Sequence, residues 1–93
     1  LKTAQSHREM SALFQGARDE LKLIHELIHG AEKNIEQSKA YLSATSSEYR
    51  RGLKNSPDVV GANLRYMDTV RRWAELRRDY QFARAGLLEI VGK

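Results

Sequence analysis

Two sets of large apolar residues recur at intervals of seven, and that period constrains the fold more than any other feature. Phe14, Leu21, Ile28, Ile35, Leu42 and Tyr49 form the first set; Val59, Tyr66, Trp73, Tyr80 and Leu87 form the second. Three residues after each comes a slimmer side chain: Ala17, Ile24, Ala31, Ser38, Thr45 and Gly52, then Ala62, Thr69, Leu76, Ala83 and Ile90. A seven-residue repeat with a second apolar position at +3 is the a/d pattern of packed helices. The bulk here sits at a and the slim residues at d.

Between the two sets lies one strong turn signal, Gly52-Leu53-Lys54-Asn55-Ser56-Pro57-Asp58. Ser56 suits an N-cap, Pro57 the first helical position and Asp58 the positive helix end. The expectation is an all-α, antiparallel two-helix coiled-coil hairpin that assembles into a helical bundle. It forms one domain over 1–93, with a first helix over about 4–54, a turn over 52–58 and a second helix over about 57–91. Gly16 and Gly30 are the candidate breaks in the first helix, each costing about 1 kcal/mol relative to alanine. A short third helix made by residues 1–15 folding back is the alternative course for the N-terminal segment.

Pairing a against d in an antiparallel hairpin sets an expected register. Tyr49 then faces Ala62, Leu42 faces Thr69, Ser38 faces Trp73 and Ala31 faces Tyr80, each pair of positions adding to 111. Large rings meet small residues in that arrangement, which fills space without overpacking.

Composition narrows the function classes. No apolar run approaches the ~20 residues of a membrane-spanning helix. Leu1 to Met10 lack the basic-then-apolar layout of a secretory signal, and the absence of cysteine removes disulfide and thiolate chemistry. A cytoplasmic chain without cofactor is the expectation. The formal charge is +4, shared evenly between the halves, although the second half draws its cations almost entirely from arginine.

Three candidate sites stand out. The first is an apolar set off the seam: Val60, Met67, Val70 and Leu88 on the second helix, with Leu13, Leu27 and Tyr41 on the first. Met10, Leu13 and Phe14 overhang the end of the second helix and extend that set. Exposed apolar strips of this kind meet a partner, either a second copy or another helical protein. The second is a basic face of Arg65, Arg71, Arg72, Arg78 and Arg84, with Arg50 and Arg51 before the turn. It could follow a phosphate backbone, but Asp68, Glu75, Asp79 and Glu89 alternate with the arginines, as on a salt-bridged helix surface. The third is His25-Glu26-Leu27-Ile28-His29, which matches the H-E-x-x-H zinc motif, with Glu32 as a third ligand candidate. Zinc proteases of that class place the helix beneath a substrate-binding strand, and no strand is foreseen here. The expectation is therefore a non-enzymatic chain.

Ser47-Glu48-Tyr49-Arg50-Arg51-Gly52-Leu53 and Asn63-Leu64-Arg65-Tyr66-Met67 carry a resemblance. With the heptads over Ile35 to Leu88, they resemble the coiled-coil stalk proteins of flagellar and type III secretion export. That resemblance implies a long antiparallel hairpin that docks on an export ATPase and handles export chaperones, although this chain is shorter than the family. The needle and rod subunits of the same machines are similar in their proline-marked turn, where Gly61 stands near their usual second proline. The function expected is a protein–protein interaction and assembly module, an adaptor or component of a bacterial secretion apparatus.

Overall fold

The computed structural model describes residues 2–92, with side chains described from Ser6 onward. Two helices make up the fold, α1 over Lys2–Arg50 and α2 over Ser56–Gly92. They pack antiparallel into a thin ribbon with principal extents of 75 × 15 × 14 Å. The all-α hairpin is thus present, and no strand occurs among the described residues. α1 runs unbroken through Gly16 and Gly30, so its N-terminal segment extends past α2 and does not fold back as a third helix.

The turn is tighter than expected and has different caps. Gly52 adopts φ +78°, a left-handed conformation that favours glycine. The Leu53 N–H donates to the Glu48 carbonyl at 2.9 Å and the Gly52 N–H to that of Tyr49 at 3.0 Å. That pair is a Schellman closure, and it ends α1 at Arg50, short of the expected residue 54. Asn55, and not Ser56, caps α2. The Asp58 N–H donates to Asn55 Oδ1 at 3.2 Å, and the Asn55 N–H donates to Asp58 Oδ2 at 3.2 Å. This reciprocal cap satisfies two orphan donors at the helix start.

The earlier end of α1 moves the hairpin midpoint to residue 53, halfway between Arg50 and Ser56, and the register moves with it. Ser38 Oγ lies 2.9 Å from Thr69 Oγ1, so Ser38 stands opposite Thr69 and not Trp73. The shift is four residues, about one helical turn. It sets d against d: Thr45 with Ala62, Ala31 with Leu76, Ile24 with Ala83. Ile24 and Ala83 line one depression and Ile35 and Trp73 another, consistent with the register that the Ser38–Thr69 contact fixes.

The centre of the seam is therefore the slim row. Ile24, Ala31, Ser38, Thr45, Ala62 and Leu76 are all buried, and all occupy d. Small side chains there let the two backbones approach closely, with larger Ile24 and Leu76 each set against an alanine. Two hydroxyls meet at mid-seam, that of buried Ser38 and that of half-buried Thr69. Ser38 Oγ lies 3.1 Å from the Ile35 carbonyl and Thr69 Oγ1 2.7 Å from that of Tyr66, so one hydroxyl proton bonds its carbonyl while the other bridges the two hydroxyl oxygens. Such a contact contributes about 1 kcal/mol net, but it fits in one register only.

Adding bulk to the slim row should force the helices apart. Ala62, 2% exposed, replaced by leucine is expected to lose about 1–3 kcal/mol in urea unfolding. The same change at exposed Ala85 should stay within about 0.5 kcal/mol.

Candidate interaction surface

With d at the centre of the seam, the a rows of both helices fall on one side of the ribbon and the g rows on the other. At 100° per residue, e and then b continue the a side outward, while g and c continue the other. Phe14, Leu21, Ile28, Ile35 and Leu42 line the a side of α1, and Val59, Tyr66, Trp73, Tyr80 and Leu87 that of α2; all are half-buried. Sequence reasoning placed these rings inside the core. The register leaves them half open instead, as the floor of a broad apolar face. Tyr49, expected opposite Ala62, lies at the turn, 45% exposed, and its Oη accepts from Ser56 Oγ at 3.4 Å.

The off-seam apolar residues divide between the two sides. Val60, Met67 and Leu88 occupy b on α2 and are exposed, Met67 in a depression shared with Leu64, Arg65, Asp68 and Arg71, and Val70 at e is half-buried beside the a row. Leu13, Leu27 and Tyr41 occupy g on α1 and belong to the opposite side. There the Arg65 guanidinium sits 5.7 Å from the Tyr41 ring centroid. They do not form one strip with the α2 set, because the g and b flanks point away from each other. Met10 and Leu13 on the overhang are exposed, while Phe14 is half-buried with the Arg18 guanidinium 5.9 Å from its ring.

The α2 face is notable for what interrupts it. Along its a, e and b rows, from Val59 to Val91, the charges are Arg77 and Arg84 alone. Arg77 stacks on Trp73, 5.0 Å from the ring centroid. The rim across the groove, on α1, carries His25, Glu32 and Glu36. Arg77 was not among the basic-face candidates, since its charge alone gave no reason to separate it from its neighbours. The Trp73 spacing at i+4 was the available signal.

The arginines do not share a face. Arg65 and Arg72 lie at g, Arg71 and Arg78 at f, and Arg84 at e, spread around α2. Arg50, whose Nε reaches the Ser46 carbonyl at 3.4 Å, and exposed Arg51 sit at the end of α1 beside the turn. Three arginines on α2 pair with acids on the same helix: Arg71 with Asp68, Arg72 with Glu75 at 3.9 Å and Arg78 with Asp79 at 3.8 Å. These exposed pairs each contribute well under about 1 kcal/mol.

His25 and His29 lie one turn apart on exposed α1 surface, their ring centroids 4.8 Å apart and nearly perpendicular. Glu32 lines the depression beside His25, but no group of three or more metal-ligating side chains comes together among the described residues. None of the described helices is long and apolar enough to cross a membrane.

No family profile, no curated protein and no solved structure matches the chain.

Trp73 offers a direct probe of the face. Its indole N–H is buried without an acceptor among the described residues. Trp73→Phe removes that donor and keeps most of the ring, so stability should stay within about 1 kcal/mol of wild type. Trp73→Ala also removes the ring and should cost about 2–4 kcal/mol, both read by urea titration.

Proposed function

We propose that this chain is a non-enzymatic helical interaction module whose working surface is the α2 face bearing Val60, Met67, Val70, Trp73 and Leu88. One observation carries the reading: an aromatic and aliphatic face stays open along the whole of α2 while the hairpin seam is already filled by the slim row. A two-helix ribbon has a shallow surface, suited to another helix laid along it more than to a small molecule. Met10 and Leu13 on the α1 overhang supply a second apolar patch on the same rod.

The narrower reading is an adaptor or assembly component of a bacterial secretion apparatus, acting inside the cell. Its support is the resemblance of the turn-flanking segments to export stalk proteins, together with a hairpin shape of the kind that resemblance implies. A nucleic-acid role gains nothing from arginines dispersed around α2 and partly paired in cis.

Site-specific photo-crosslinking in the native cell tests the reading. A photoreactive residue at Met67, 57% exposed on the apolar face, should give defined protein adducts. The same residue at Arg78, on the outer surface, should give few. Equal adduct yields at both positions, or none at Met67, would overturn it.

A further inference from the structure

We propose that a second copy of this chain covers the α2 face, in a two-fold antiparallel contact of α2 on α2 centred between Trp73 and Ala74. The inference rests on the interaction-module reading and names its partner. A compact monomer of 10.7 kDa exposes about 5,500 Å², whereas this chain exposes 7478 Å², about 2,000 Å² more. A standard stable interface covers only about 800 Å² on each partner. The surplus is ample for a dimer, and this face carries the exposed side chains of Val60, Met67, Leu88 and Val91 beside the half-buried a row.

A two-fold contact requires a surface that complements itself. Centred between Trp73 and Ala74, the α2 face does so: Trp73 meets Ala74, Met67 meets Tyr80 and Val60 meets Leu87 of the second copy. The largest side chain thus opposes one of the smallest. A slide by one heptad sets Trp73 against Met67 in one direction, and Arg77 against its own symmetry mate in the other.

Charge selects the same register. It places Arg77 of the second copy opposite Val70, and Val70 shares a depression with Glu32, Ile35, Glu36 and Trp73. Neither Glu32 nor Glu36 is held in an ion pair among the described residues. Arg77 stacks on its own Trp73 and lines a depression with Glu32 of its own chain; in the proposed dimer its guanidinium would also come within reach of Glu32 and Glu36 of the facing chain. The symmetry repeats the contact, so each dimer gains two sets. The slim d rows stay within each hairpin, and the bulky a rows of both copies turn into a shared four-helix interior.

Charge exchange in trans is the test, read by sedimentation equilibrium on the full chain. Wild type is expected as a dimer. R77E sets a new carboxylate against Glu32 and Glu36, and E32R/E36R sets Arg77 against two further guanidinium groups. Each variant alone should therefore dissociate at least about tenfold more readily. Mixed in equal amounts, the two variants place opposite charges at both contacts and should recover a mixed dimer. A contact confined to one chain could not produce that rescue. Circular dichroism on each variant establishes that the hairpin remains helical.

A wild-type mass of one chain at every concentration would overturn the inference, as would variants as tightly paired as wild type, or a mixture no heavier than its components. Adducts at Met67 heavier than two copies, with a monomeric wild type, would sink the second copy while leaving the module reading in place.

Discussion

The structure depends on how closely two backbones can approach along the slim d row. Ala31, Ser38, Thr45 and Ala62 are buried because they are small enough to stand at the line of closest approach. Ser38 and Thr69, touching through their hydroxyls, mark that line at mid-ribbon. Everything else follows from this placement. Once the slim residues hold the centre, the bulky a rows must lie to one side, and a hairpin of only two helices has nothing to cover them.

The turn enforces the same geometry from its own end. Gly52 closes α1 through the left-handed conformation and Asn55 with Asp58 opens α2, leaving few residues between the helices. A looser turn would move the facing residues by about a helical turn and bring Trp73 over Ser38. The seam would then be made of rings against small residues, and the apolar face would shrink. Local capping chemistry and long-range packing therefore agree on one register, a consistency expected of a sequence that specifies a single fold.

Much of this was legible in the sequence, and the misses have identifiable causes. The heptads of Phe14 to Leu42 and Val59 to Leu87 marked which residues leave solvent, and every one of them is half-buried or buried. What the period could not decide is which of the two rows lies at the centre, since a and d are both apolar and both recur at seven. Pairing bulk with slim residues was a sound packing rule applied to the wrong pairs. The caps could have corrected it: Asn55 followed three residues later by Asp58 is itself a capping-box pattern, and Gly52 is the only glycine near the end of α1. The candidate surface suffered from the same ambiguity. Val60, Met67 and Leu88 were found from their exposure off the seam. Leu13, Leu27 and Tyr41 were joined to them as apolar residues off the seam, although g on α1 and b on α2 lie on opposite flanks of an antiparallel pair. The arginines looked like a face only in linear order, and the helical wheel disperses them.

The central claim is the d-against-d register, and a pair of engineered cysteines tests it most directly, since the chain has none of its own. Ser38→Cys with Thr69→Cys places two thiols where the hydroxyls now touch, within reach of a disulfide. Ser38→Cys with Trp73→Cys separates them by about one helical turn along the ribbon. Under mild oxidation at high dilution, the first pair should close an intramolecular bond rapidly and the second slowly if at all. Faster closure of the second pair would contradict the register and, with it, the open apolar face.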